Sequence, residues 1–206
     1  MEFSLNYVWI QAVRLPVPEE EQRITYPVQE ELMNNVVAIA NHYPETEVNI
    51  WVDLYGVGRN TPRILTALNA EKPTSNIIFK SLDEIPVYGV DPLFTKKHLD
   101  FEDPYDPIWL QLDLARLYVL RHQLLTHPSQ GAIYADMDLA LPDLSSDQFI
   151  GIIEKHDLCF GRFYRSPVTK CGTFENQFFT LGQEFGKKYL MSHLIPYTQD
   201  SIRQGL

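Results

Sequence analysis

The sequence predicts an α/β fold with a mostly parallel sheet flanked by helices, and three observations carry that expectation. Apolar strand-like runs and helical patterns alternate through the first eighty residues. This is the signature of βαβ units and therefore of parallel neighbours. A long helical pattern from Ile108 to Leu125 then leads into the apolar run Ala132-Ile133-Tyr134-Ala135, which reads as a buried strand. That run ends in Asp136-Met137-Asp138, and the C-terminal mouths of parallel strands are where such sheets bind ligands.

The elements follow in order. Tyr7 to Val13 reads as a first strand, and Pro16 to Tyr26, with Glu19, Glu20 and Glu21, as a solvated loop. Gln29 to His42 has helical spacing, with Leu32, Val36, Val37 and Ala40 on one face, and Pro44 stops it. Val48 to Leu54 reads as a second strand carrying Asp53 near its end, Thr61 to Leu68 as a helix, and Asn76 to Lys80 as a third strand. Leu82 to Pro107 carries Pro86, Pro92, Pro104 and Pro107 and is expected to be irregular; connections of that length usually serve function. After the long helix, Thr126 to Gly131 turns the chain into the Asp136 strand. Gln148 to His156 predicts a helix, Asp157 to Phe163 a strand, Arg165 to Gly172 a loop, Thr173 to Leu181 a strand and Gly186 to His193 a short helix.

Composition narrows the function. With 206 residues and 45% apolar content, the chain is long and apolar enough for a substantial core. The net charge is −10 and no basic run occurs, which disfavours nucleic acid as a general partner. An anionic substrate needs a local cation or arginine to approach this surface. Cys159 and Cys171 are the two cysteines, too few for a disulfide framework and without the His-rich neighbourhood of a zinc site. Cys159 is expected in the core. No leader-like apolar segment opens the sequence and no run reaches membrane-spanning length, so a cytoplasmic protein, or one exported without a cleavable signal, is expected.

The chemistry concentrates at strand ends and on the long helix. Trp9 with Gln11, Asp53, and Asp136 with Asp138 fall at or near C-terminal mouths, and an aromatic ring there can stack on a base. Positions i and i+2 of a strand share a face. Asp136 and Asp138 therefore repel each other unless a cation or water lies between them. Mg²⁺ and Mn²⁺ take oxygen ligands and keep positions open for phosphate oxygens, so a metal site for a phosphorylated substrate is the physical reading. A solvated turn before Leu141-Pro142-Asp143 is the plain alternative. Asp113 and Arg116 lie three apart on one helix face, flanked by Leu112, Leu114, Ala115 and Leu117. Such a pair is expected to be partly buried and to need partners.

Asp113-Leu114-Ala115-Arg116-Leu117, followed by Gly131-Ala132-Ile133-Tyr134-Ala135-Asp136-Met137-Asp138, resembles the D-x-x-R…G-G-x-Y-x-D-x-D signature. That signature marks glycosyltransferases with the DXD sugar-binding region, among them yeast-type initiating mannosyltransferases and the catalytic domains of large clostridial glucosylating toxins. Val8-Trp9-Ile10, Val48 to Asp53, and Glu175-Asn176-Gln177-Phe178 resemble further strands of the family, so the similarity runs in order from residue 6 to about residue 190. The resemblance implies a GT-A fold, a Rossmann-type sheet, and transfer of a hexose from a nucleotide-diphosphate sugar with retention of configuration. It implies that Trp9 stacks on the base. Asp113 and Arg116 would hold the donor sugar, with Arg116 near the diphosphate. Asp136 would contact ribose and sugar hydroxyls and hold Mn²⁺ or Mg²⁺ through water, and Asp138 would ligate the ion directly. Gln11, Tyr134 and Asn176 complete the implied substrate-binding set. Asp113, Arg116, Asp136 and Asp138 are the implied catalytic group.

Two departures from the pattern stand out: Gly131-Ala132 replaces Gly-Gly, and His127-Pro128-Ser129-Gln130 lengthens the preceding turn. Relatives also place ligands in segments beyond the position of Leu206. The chain is therefore expected to be one compact domain over 1–206, either a fragment lacking a C-terminal segment or an unusually compact member. The competing readings are a degenerate nucleotide-sugar-binding module and, more weakly, a phosphohydrolase of the haloacid dehalogenase type. The latter expects Gly-Thr or Gly-Val after D-x-D, where this chain has Leu139-Ala140. A nucleotidyltransferase would need a Gly-Ser helix start that is absent. The acceptor stays open among protein, glycan and lipid hydroxyls, because acceptor choice lives in loops.

Overall fold

A computed structural model describes residues 2–10, 30–53, 61–91, 108–127, 130–139, 146–160, 163–165, 172–174 and 178–204. β1 (Glu2–Ile10), α1 (Glu30–His42), β2 (Glu47–Asp53), α2 (Thr61–Ala70) and β3 (Ile77–Ser81) alternate as the sequence predicts. α3 (Ile108–Thr126) and β4 (Gln130–Ala135) follow. Next come α4 (Ser146–His156), β5 (Leu158–Phe160), β6 (Phe163–Arg165), β7 (Gly172–Phe174) and β8 (Phe178–Leu181). A last helical run comprises α5 (Phe185–Tyr189), a π turn (Leu190–Leu194) and α6 (Ile195–Gln204).

Among the described residues the main sheet has six strands in the order β3-β2-β1-β4-β8-β5. β3, β2, β1 and β4 are mutually parallel, while β8 runs antiparallel to both β4 and β5. The chain moves outward from β1 to β3 and then returns to place β4 on the other side of β1. Right-handed crossovers put α1 and α2 on one face for the outward path and α3 on the opposite face for the return. Strand order reverses between β1 and β4, which opens a crevice at their carboxyl ends. The sheet is thus the mostly parallel, helix-flanked α/β architecture expected from the pattern.

Two apolar layers result. Leu5, Tyr7, Ile50, Phe79 and Ile133 pack against Val36, Ile39, Ile64 and Leu68 on the α1/α2 side. Val8, Trp51, Tyr134 and Phe179 pack against Leu114, Leu117, Leu120, Leu124, Leu190 and Ile195 on the other. Each fully buried large side chain contributes about 1.5–3 kcal/mol. Side-chain amides join the elements: Asn76 Nδ2 donates to the carbonyls of Ala40, Tyr43 and Thr46, closing the α1–β2 turn.

Four elements differ from expectation. β1 begins at Glu2, five residues earlier than the apolar run, because polar Ser4 and Asn6 are buried and hydrogen-bonded; Gln11 to Val13 lie outside the described residues. Asp157 to Phe163 is not one strand. β5 belongs to the main sheet and β6 pairs with β7 instead. Thr173 to Leu181 divides the same way, β7 joining the hairpin and β8 the main sheet. The last helix continues to Gln204 through Pro196. Proline donates no N–H to the preceding turn, and the ladder widens just before it, with Ile195 N–H bonded to Leu190 O. Within the proline-rich connection, Leu82 to Glu84 forms a 3₁₀ turn closed by Ser81 and Glu84, which each accept from the other's end of the turn. Cys159 is half-buried rather than core.

Candidate active site

The crevice between β1 and β4 receives its chemistry from β4 and α3. Along β4, Ile133, Ala135 and, just beyond, Met137 enter the α1/α2 layer, while Ala132 and Tyr134 enter the α3 layer. Asp136 follows with the parity of Tyr134 and so meets α3. There Arg116, only 7% exposed, donates through Nη1 to Asp113 Oδ1 at 3.1 Å. Its Nη2 lies 3.1 Å from Asp136 Oδ1 and 3.5 Å from Oδ2. One guanidinium therefore ties the long helix to the end of the central strand. Asp113 is one-third exposed.

Tyr134 supports this pair from below. Its hydroxyl donates to Asp136 Oδ1 at 2.5 Å, and the Arg116 guanidinium sits 5.2 Å from its ring centroid. Burial drives the Tyr134 phenol well above its ordinary value, so it stays a donor at neutral pH. Burial also pushes the Asp136 carboxyl up. Arg116 and the Tyr134 hydroxyl pull it back and Asp138 pushes it up again, leaving it above the ordinary value.

Asp138 is exposed. It occupies the third position of a turn closed by Leu139 N–H donating to Asp136 O at 3.0 Å. Met137, the second position, is buried and anchors the turn in the α1/α2 layer. From α1, Asn35 Nδ2 donates to Met137 O at 2.6 Å and Leu139 O at 3.1 Å.

Of the residues singled out from the sequence, Asp113, Arg116, Tyr134 and Asp136 are directly connected, and Asp138 is two residues from Asp136 on the same turn. Trp9 lies at the β1 end, partly buried against the α1/α2 layer rather than in the α3 layer that holds Arg116. Its indole Nε1 is buried without a hydrogen-bond partner among the described residues. Gln11 and Asn176 lie outside the described residues, as does Cys171. Tyr134 is 1% exposed and its hydroxyl is spent on Asp136, so its contribution is to hold that carboxylate. Asn35 was not anticipated. Its only sequence signal is an amide on the core-facing side of a helix between Leu32 and Val36.

The donor chemistry suits a hard divalent ion. Among the described residues no group of three or more His, Cys, Asp and Glu is arranged to hold a metal. Asp136 and Asp138 lie on one turn, and Mg²⁺-type sites often use one or two carboxylates and complete their shell with water and phosphate oxygens. Among the described residues Asp136 Oδ2 has only the long contact to Arg116, and Asp138 is exposed.

No protein-family model matches the sequence, and no curated protein matches it. The fold does match solved structures. One is a transferase carrying two cysteine-to-serine substitutions, at TM-score 0.54 and 15% identity over 99% of this chain and 84% of that one. Another is the PaToxG glycosyltransferase, at TM-score 0.51 and 15% identity over 98% of this chain and 62% of that one. The chain therefore shares its fold with a glycosyltransferase, in agreement with the resemblance read from the DXD and D-x-x-R segments. No helix among the described residues is long and apolar enough to cross a membrane.

Proposed function

We propose that this chain is a glycosyltransferase that moves a hexose from a nucleotide-diphosphate sugar to an acceptor hydroxyl, using Mn²⁺ or Mg²⁺ held by Asp136 and Asp138. The observation that carries the reading is the double engagement of Arg116, which bonds Asp113 on its own helix and Asp136 across the mouth. It occurs at the switch point of a fold shared with a glycosyltransferase. The retaining outcome rests on the family resemblance.

Each residue has a chemical task. Asp113 accepts hydrogen bonds from donor-sugar hydroxyls. Arg116 presents fixed positive charge where the departing diphosphate gathers negative charge, in a site shielded enough for that charge to count. Asp136 is aimed by Arg116 and Tyr134, ready to accept from ribose or sugar hydroxyls. Asp138, exposed on the turn, is the direct metal ligand, with Asp136 acting through water. The ion, when bound, supplies Lewis-acid stabilisation of the leaving diphosphate. Trp9 remains the candidate for base stacking.

The test is hydrolysis of a panel of nucleotide sugars with and without Mn²⁺. Hydrolysis of one donor that needs Mn²⁺ is expected, and Asp138→Asn should abolish it while shifting the melting temperature by no more than about 2 °C, as for an exposed substitution. Full activity in that variant would overturn the metal assignment. A donor that raises the melting temperature without any turnover would make the chain a binding module instead.

A further inference from the structure

We infer that Asn35 is a positioning residue that sets the backbone of the acidic turn and so aims Asp138. The inference rests on the metal role just proposed for Asp138. The geometry is unusual in its economy: one amide nitrogen of α1 meets the carbonyls of residues 137 and 139, one on each side of Asp138. The turn's own bond, Leu139 N–H to Asp136 O, fixes its ends. It leaves open the rotation of the peptide units that flank residue 138. Asn35 removes that freedom by demanding that both carbonyls point toward α1. The Asp138 side chain is then directed away from α1, toward solvent.

Burial makes the clamp stiff. Asn35 is half-buried, and its neighbours Met33, Val36 and Ile39 are buried in the same layer as Met137. The amide therefore projects from a helix that is itself locked in the core. A ligand on a rigid, supported backbone binds a metal more tightly than one on a free turn, and outer partners of metal ligands typically matter about 10- to 100-fold in affinity. The same device occurs where no chemistry is proposed. Asn69 on α2 donates to Leu65 O and Phe79 O and accepts from Phe79 N–H, which makes it a matched structural control.

Two readouts decide the inference. Amide hydrogen exchange at Leu139 reports the turn itself. Asn35→Leu and Asn35→Asp, neither of which can donate, should raise exchange at Leu139 by about tenfold or more, while Asn69→Leu leaves it unchanged. Unchanged Leu139 protection in both Asn35 variants would overturn the clamp. Binding of Mn²⁺ alone, followed through the paramagnetic resonance of the free ion, reports the consequence. Both Asn35 variants should bind about 10- to 100-fold more weakly, and Asn69→Leu as tightly as the parent protein. Equal affinity in parent and Asn35 variants would overturn the aiming role. Should the parent protein bind no Mn²⁺, the metal role of Asp138 fails, and with it the aiming of a ligand, while Leu139 exchange still decides the clamp.

Discussion

Two polar clusters lie under α3, one at each end of the sheet, and they are built on opposite principles. At the C-terminal mouth, Arg116, Asp113 and Asp136 are charged and open on one side to solvent. Toward the other end, Ser4, Asn6, Asn49 and Gln123 are neutral and sealed. Asn6 is the hub: its Oδ1 accepts from Asn49 Nδ2 at 3.2 Å and Trp51 Nε1 at 3.1 Å. Its Nδ2 donates to Ser4 Oγ and to Ile133 O. Gln123 Nε2 reaches Ser4 Oγ from α3 at 3.2 Å. A neutral network that is buried and largely satisfied sets register between helix and sheet. A charged cluster with one open side keeps capacity for a ligand. The same helix thus carries a locking end and a working end.

Removing the cation should separate the two ends most sharply. Arg116→Ala takes the cation from the mouth and leaves Asp136 with Tyr134, and kcat/KM for donor hydrolysis is expected to fall by about 100-fold or more. Donor affinity by calorimetry should fall with it; unchanged affinity would remove Arg116 from the site. The corresponding break at the sealed end is Asn6→Leu. It strips the acceptor from two buried donors, Asn49 Nδ2 and Trp51 Nε1. The expected cost is about 2–6 kcal/mol in urea unfolding, since each unsatisfied buried group costs about 1–3 kcal/mol. The fraction that folds should bind donor normally.

Tyr134→Phe sharpens the contrast within the mouth. It removes one hydrogen bond to Asp136, for about 1 kcal/mol of stability. It also removes one of the two influences that pull the Asp136 carboxyl down. Activity that needs ionised Asp136 is lost as pH falls through its folded value, so the acidic limb of kcat/KM should move to higher pH in the variant. A limb that stays in place would show that Asp136 does not govern it.

The smallest expected effect concerns acid stability at Glu47, a one-third exposed carboxylate that borders the sealed network and accepts from Gln123 Nε2 at 3.5 Å. Burial pushes the Glu47 carboxyl up, but the Asn49 hydrogen bond and Lys80, 3.1 Å away, bring it below its ordinary 4.5. A lowered folded value means stability present above pH 4.5 and lost as pH falls through the folded value. Asp136 has the opposite sign: its folded value is raised, so its contribution is greatest below the unfolded value and declines as pH rises through the folded one. Glu47→Gln should therefore flatten the acid-side loss in urea midpoints measured from about pH 5 to pH 3. An unchanged profile would place that loss on other carboxylates.

Strained backbone follows the same division between locking and working regions. Asp157 holds φ 53°, the left-handed region, far from the mouth. It uses that geometry to accept Gly182 N–H on its carbonyl and Gly186 N–H on Oδ2 at 2.6 Å. A Cβ on Gly182 would stand 1.6 Å from Asp157 Oδ1, and one on Gly186 2.3 Å from its carbonyl oxygen. At Gly186 the backbone of Asp157 itself leaves no room for a Cβ, while at Gly182 the obstacle is the Asp157 side chain, which would have to give up its place. The strain anchors the start of the last helical run to β5.

Much of this was legible from residues alone. Pattern and punctuation located α1, β2, α2, β3 and α3 to within a residue or two at most ends, α1 and α2 by one apolar face and β2 and α3 by apolar runs buried on more than one side. The spacing of Asp113 and Arg116 placed them together on a helix, and the position of Asp136 and Asp138 after an apolar run placed them at a strand mouth. The division of 157–181 between two sheets was not legible, since short apolar runs carry no mark of which neighbour they will pair with.

Local pattern, then, established the class of fold and the candidate ligating groups, because side-chain period and charge are properties of adjacent residues. Folding across the chain decided that Arg116 touches Asp136, that Trp9 packs with the other layer, and that Asn35 grips the acidic turn. Those contacts join residues 20 to more than 100 positions apart. Their existence depends on the reversal of strand order and on which face each crossover helix covers.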